Sequence, residues 1–161
     1  MPRHLVLACM LLLAPAAARA QAADSVQHLS ADALRTAVAA VPGEADRSLY
    51  VRMVADRGYT VLAIRRTGDG EAEIHSEWDD VMTVQEGTAT LLHGGRVQGG
   101  RETAPGELRG GRIDGGTRQV LAPGDVAVIP AGTPHQVLVP AGGSIRYLVT
   151  KVRRAGGSPP E

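Results

Sequence analysis

From residue 49 onward the sequence predicts an all-β sandwich or barrel, preceded by one short α-helix. Two observations predict it. Short runs rich in Val, Ile, Leu, Thr and Tyr recur along the chain, and turn signals separate them, with 20 Gly and 10 Pro among 161 residues. Many short strands at regular spacing with such turns fit a sandwich or barrel.

The elements follow in order. Residues 1–20, MPRHLVLACMLLLAPAAARA, carry Arg3, an apolar run from Leu5 to Leu13, and Ala18-Arg19-Ala20. A basic start, a short apolar middle and a small-residue cleavage site make a secretory signal peptide, and the run is too short to span a bilayer. The expectation is export, to the periplasm or beyond the cell, with no stable membrane anchor. Cleavage removes Cys9, the single cysteine. The exported chain then has no disulfide, thiol nucleophile or thiolate ligand, so any metal must be held by His, Asp, Glu or water. Cleavage also removes two of the 17 Lys and Arg and none of the 17 Asp and Glu, leaving a net charge of about −2 with neutral histidines. No basic patch suits nucleic acid, and no G-x-S-x-G elbow suits a serine hydrolase.

Residues 21–46 form an N-terminal helical segment. Ser30 or Asp32 offers an N-cap, Leu34, Ala37, Val38 and Val41 follow at helical spacing, and Pro42-Gly43 stops the run. Residues 47–153 are the barrel. Leu49 to Ala55 and Tyr59 to Arg65 flank Asp56-Arg57-Gly58, a hairpin signal. Gly68-Asp69-Gly70 turns the chain into Glu71 to His75. Val81 to Val84 and Thr88 to Leu92 are expected to pair about Gln85-Glu86-Gly87, and Ile113 to Thr117 signals a further hairpin. Val120-Leu121, Asp125 to Ile129, Gln136 to Val139 and Ile145 to Val152 complete the strands. Residues 94–116, rich in Gly and Arg, are expected as a long hairpin or a mobile loop over the barrel mouth. Arg96, Arg101, Arg109 and Arg112 there are candidates for an anionic ligand. The tail, residues 154–161, is expected to be disordered.

The stretch GDVAVIPAGTPH, Gly124 to His135, names the fold. Gly124-Asp125 opens a turn, Val126, Val128 and Pro130 alternate along a strand, and Pro130-Ala131-Gly132 makes a tight turn that needs a free φ at Gly132. The chain then re-enters the sheet at His135. Glycine, five residues, Pro-x-Gly, two residues and histidine resemble the second motif of the cupin superfamily, although Val139 stands where that motif ends in asparagine. The resemblance covers roughly Leu49 to Val152. It implies a double-stranded β-helix (a jelly-roll barrel), commonly a homodimer, and in many members one divalent metal.

The first cupin motif runs H-x-H, three or four residues, glutamate, six residues, glycine. In IHSEWDDVMTVQEG, Gly87 fits the glycine, Asp80 the glutamate and His75 the first histidine, with Glu77 in place of the second. The gap from Glu77 to Asp80 is then one residue shorter than the motif allows. On an extended strand His75 and Glu77 share a face. The expected metal set is therefore His75, Glu77, Asp80 and His135, a mix of donors suited to Zn²⁺, Mn²⁺ or Fe²⁺. His75 and His135 are also the candidate catalytic groups. Asp79 is expected in a solvated turn, Trp78 as edge packing, and His93 and His28 at the surface. Three functions remain open at this level, one of them a structural dimerisation barrel with no ligand. Another is a metal-dependent barrel acting on a small molecule, as an isomerase, epimerase or dioxygenase. The third is a metal-free module that binds or senses a small ligand.

Overall fold

The computed structural model describes residues 26–39, 48–55 and 58–154. The predicted signal peptide, the hairpin tip Asp56-Arg57, the Pro42-Gly43 stop and the tail beyond residue 154 lie outside the described residues. The chain forms α1 (Ala31–Ala39), β1 (Ser48–Ala55), β2 (Tyr59–Arg66), β3 (Glu73–His75), β4 (Trp78–Gly87) and β5 (Ala89–His93). Then come β6 (Arg96–Gln98), β7 (Arg101–Ala104), β8 (Glu107–Arg109), β9 (Arg112–Asp114), β10 (Thr117–Leu121), β11 (Val126–Ile129), β12 (His135–Leu138) and β13 (Ile145–Arg153).

Helix α1 begins as its sequence dictates. The Ser30 hydroxyl accepts a 3.1 Å bond from the Ala33 amide, satisfying one of the donors that a helix start leaves unpaired. Leu34 and Ala37 are half-buried, and the helix packs on β1 and β2.

The strands make two antiparallel sheets, β1-β2-β13-β4-β11 and β10-β5-β12-β3-β8-β7, with β6 and β9 as a separate ribbon. The core lies between the sheets. Every second residue points into it: Met82 and Val84 on β4, Ala89 and Leu91 on β5, Ile145, Tyr147 and Val149 on β13. The same alternation carries polar groups inward where the apolar run ends, at Asp80 on β4 and Lys151 on β13.

Two expected hairpins are instead passages between sheets. β4 pairs with β11 and β13, whereas β5 pairs with β10 and β12. Gln85-Glu86-Gly87 is therefore a corner, because turn-forming residues between two apolar runs are equally served by a switch of sheet. Gly87 has φ 76°, and a Cβ there would overlap the Ser144 carbonyl oxygen. Likewise Gly115-Gly116 leads from the β6–β9 ribbon to β10. Residues 94–116 form a long doubled hairpin: β6 pairs with β9, β7 with β8, and β8 adds to β3. Instead of roaming over the mouth, it extends the second sheet and carries Glu107 and Arg109 to the barrel interior.

The turn after β11 joins the two motifs. The Gly132 amide donates to the His75 carbonyl at 2.8 Å, and the Ala131 amide donates to Asp79 Oδ1 at 2.6 Å. Gly132 has φ 79° with nothing within 4 Å of a Cβ position, so a side chain there meets conformational strain and no clash. Gly132→Val is expected to cost about 1–3 kcal/mol, read as a lowered urea midpoint with an unchanged slope.

Candidate metal centre

Only three polar or charged residues are fully buried among the described residues: His75, Asp80 and His135, at 2%, 5% and 6% exposure. Ionisable groups are seldom buried so deeply without a partner or a task. Strand register brings them together. Glu73 and His75 occupy alternate positions of β3 and share its inward face. His135, the first residue of β12, lies opposite Glu73, and Asp80 on β4 lies opposite Lys151 on β13.

The donor atoms converge. One ligand atom each from Glu73, His75 and His135 lies within 4.8 Å of the other two. His75 Nε2 is 3.3 Å from Glu73 Oε2 and 3.6 Å from Asp80 Oδ2, which in turn is 3.9 Å from His135 Nε2. The two rings tilt at 55° with centroids 5.2 Å apart.

A second layer orients the first. His75 Nδ1 is 2.6 Å from Glu107 Oε2, and His135 Nδ1 is 3.0 Å from the Thr133 carbonyl oxygen. Both contacts are acceptors, so each ring places its proton on Nδ1. In the neutral form each turns an Nε2 lone pair toward the carboxylates. Glu73 is fixed in the same manner. Its Oε1 meets Arg109 Nη1 at 2.7 Å and Arg66 Nη2 at 3.7 Å, leaving Oε2 to face His75. Arg66 is itself placed by its Nε, which donates to the Tyr147 hydroxyl oxygen at 2.6 Å.

Charge states follow from these surroundings. Burial pushes the Glu73 carboxyl up, but the neighbouring His75 ring, the guanidinium charges of Arg109 and Arg66, and His135 once acid protonates it outweigh burial and hold the group at about 2. Burial pushes His135 below the ordinary histidine value, against the opposing pull of the Thr133 carbonyl and the nearby carboxylates. A neutral His135 beside an ionised Glu73 is the form a cation requires. Burial likewise raises the Tyr147 phenol, keeping it protonated.

These residues fit a divalent cation. His75 Nε2 is buried and has no hydrogen-bond partner. An imidazole lone pair aimed at two carboxylate oxygens is unfavourable until a positive centre stands between them. Two imidazoles with one or two carboxylates suit Zn²⁺, Mn²⁺ or Fe²⁺. Glu107 acts behind His75, so Glu107→Gln is expected to weaken Mn²⁺ or Zn²⁺ binding about 10–100-fold, measured by chelator competition.

Of the four expected ligands, the structure gathers His75, Asp80 and His135 and leaves out Glu77. The Glu77 side chain is 57% exposed and bonds Arg153 at 2.6 Å. The same-face rule needs a continuous strand, and β3 ends at His75. The chain bends at Ser76-Glu77, where the Ser76 amide bonds the Gly106 carbonyl at 2.8 Å. Glu73, missed in the sequence, stands beside His75 instead. The signal was present: alternation holds equally two residues before His75. With Glu73-Ile74-His75 as the first triplet, four residues lead to Asp80 and six more to Gly87, inside the spacing the motif allows.

Other candidates are placed as follows. Trp78 lines the cavity beside the site, with the Arg153 guanidinium 5.8 Å from its ring centre, so it is more than edge packing. Asp79 holds the Ala131 turn, and the Ala131 amide and Arg154 keep its carboxyl below the usual range. His93 is half-buried and His28 exposed. Of the four loop arginines, Arg109 reaches the cavity wall while Arg96, Arg101 and Arg112 are exposed. The cavity holds about 860 Å³, and Arg52, Glu73, Asp80, Arg109, His135 and Lys151 are among its lining residues.

No family model matches the sequence, and no curated protein matches it. Solved structures do. A double-stranded β-helix protein from Klebsiella pneumoniae aligns at 15% identity over 83% of this chain and 95% of that one, with a TM-score of 0.58. A candidate mannose-6-phosphate isomerase from Ralstonia eutropha aligns at 19% identity over 81% of this chain and 100% of that one, TM-score 0.51. A cupin-superfamily sugar phosphate isomerase from Silicibacter pomeroyi aligns at 22% identity over 66% of this chain, TM-score 0.47, and the match spans 60% of that protein's length. At these identities the likeness is one of fold. By that fold the chain is a double-stranded β-helix protein.

Proposed function

We propose that this protein is a metal-dependent, small-molecule enzyme of the isomerase or epimerase kind, exported from the cell. The observation that carries the reading is the buried, unpartnered His75 Nε2, fixed by Glu107 from behind and facing Glu73 and Asp80. Glu73, His75 and His135, with Asp80 beside them, would hold the cation. Bound there, a divalent ion supplies Lewis acidity toward a carbonyl or enediol oxygen. The chain's own groups do the rest. Glu107 and the Thr133 carbonyl hold the two rings in one tautomer, and Arg66 and Arg109 hold Glu73 in one rotamer. The cavity of about 860 Å³ has room for a substrate of small-ligand size. The likeness in fold to the candidate mannose-6-phosphate isomerase from Ralstonia eutropha and the signal-peptide pattern support this reading. Exposed Val126 and Val128 on β11 and Val120 on β10, both edge strands, support the homodimer that the sequence resemblance implies.

The test is elemental analysis of protein purified without chelator and reloaded with Zn²⁺, Mn²⁺ and Fe²⁺, beside His135→Ala. One equivalent in the wild type and none in the variant is the expected result. No metal in the wild type under any loading contradicts the proposal.

One observation favours a second reading, a metal-free binding module. Glu73, Asp80 and Glu107 already face Arg66, Arg109 and Lys151, so the interior balances its charge without a cation. A ligand that raises the melting temperature of chelated protein, with no turnover in either state, would favour that module.

A further inference from the structure

The cross-strand pair Asp80–Lys151 stands directly beside the histidines. Lys151 Nζ is 2.6 Å from Asp80 Oδ1 and 2.8 Å from Oδ2. The same Oδ2 is 3.6 Å from His75 Nε2 and 3.9 Å from His135 Nε2. One carboxylate thus faces an ammonium and two imidazole nitrogens at once. Both partners are largely enclosed, the side chains being 8% and 15% exposed, so solvent screens the pair little.

We propose that Lys151 is a resident cation that competes with the metal for Asp80 and so sets the affinity of the centre. This rests on the metal-binding reading above. With no metal bound, the Lys151 ammonium compensates the buried Asp80 charge, which lets the barrel fold without an ion. Glu73, His75 and His135 supply three ligand atoms that Lys151 does not touch. Lys151 occupies both Asp80 oxygens, so a metal that takes Oδ2 must displace one of those contacts and meets the repulsion of a nearby ammonium. The centre therefore has a three-ligand core and a fourth position that its own lysine contests. The lysine stem, attached at β13, has the length and flexibility to withdraw into the adjoining cavity, which Lys151 lines.

The experiment compares Mn²⁺ and Zn²⁺ affinities, by competition with a chromophoric chelator, of wild type, Lys151→Met and the double variant Asp80→Asn/Lys151→Met. Circular dichroism checks the fold, and Lys151→Gln, which keeps a hydrogen-bond donor without charge, replaces Lys151→Met if the latter does not fold. The expected result is at least tenfold tighter binding in Lys151→Met, lost again in the double variant. The rise in melting temperature on adding Mn²⁺ should also be larger in Lys151→Met than in wild type. Unchanged or weaker binding in folded Lys151→Met overturns the proposal while leaving the metal centre standing. So does a double variant as tight as Lys151→Met, because Asp80 would then not be the contested ligand. Failure of both wild type and Lys151→Met to bind metal overturns the functional reading itself.

Discussion

Asp80→Ala is expected to lose about 3–5 kcal/mol of folding stability in metal-free protein, the largest effect of any single substitution considered. The carboxylate holds the Lys151 ammonium through two short contacts, 2.6 and 2.8 Å. Removing it leaves that charge in a site where Lys151 is 15% exposed, and a methyl group offers it no replacement. The cost of one stranded charge exceeds the net worth of the pair, because pairing largely offsets desolvation. The double variant Asp80→Ala/Lys151→Met should therefore regain much of the loss. Urea unfolding with chelator measures both, and the coupling between the two sites should be about 2 kcal/mol or more in the restoring direction. Additive losses would show that the pair is not enclosed as described.

The second large effect is at Glu73. Its carboxyl is held at about 2, against an unfolded reference of 4.5. That difference corresponds to stability on the order of 3 kcal/mol at neutral pH. The folded value is depressed, so the contribution is fully present above about pH 4.5 and is lost as pH falls from there through about 2. Glu73→Gln in chelated protein should be less stable than wild type by roughly this amount at pH 7. The gap should close as the pH falls below 4.5. Arg66, 11% exposed, loses an anionic neighbour in that variant, while Arg109, at 36%, is partly relieved by water. Glu77→Gln, by contrast, removes an exposed contact with Arg153 and should change stability by less than about 1 kcal/mol. A gap for Glu73→Gln that persists undiminished to pH 2 would mean that its carboxylate does not carry the charge assigned to it.

The barrel was readable because its signals are local. Alternation along Ile145 to Val152 and the fixed-φ turn at Pro130-Ala131-Gly132 each need only neighbouring residues, and both appear where expected. Pairing partners were harder. Gln85-Glu86-Gly87 carries the residues of a turn whether the chain folds back or crosses to the other sheet. Only the closeness of Gly87 to the Ser144 carbonyl distinguishes the two, and that is a tertiary fact. The site divides in the same way. Spacing selects His75, Asp80 and His135, which lie together, whereas Glu77 belongs with them only if the strand continues past His75. It stops there, and Glu73, two residues earlier on the inward face, stands in the expected place. Glu107 and Lys151 had no local signal at all. They meet the site through cross-strand register, His75 opposite Glu107 and Asp80 opposite Lys151.

Glu73, His75 and His135 are proposed to form a metal centre. Anomalous diffraction from crystals grown with Mn²⁺ tests it most directly. One strong peak is expected within about 2.0–2.3 Å of His75 Nε2, His135 Nε2 and Glu73 Oε2, with Glu77 away from it on Arg153. A fully Mn²⁺-exposed crystal with no peak between those two rings, or a peak bound by Glu77, would contradict it.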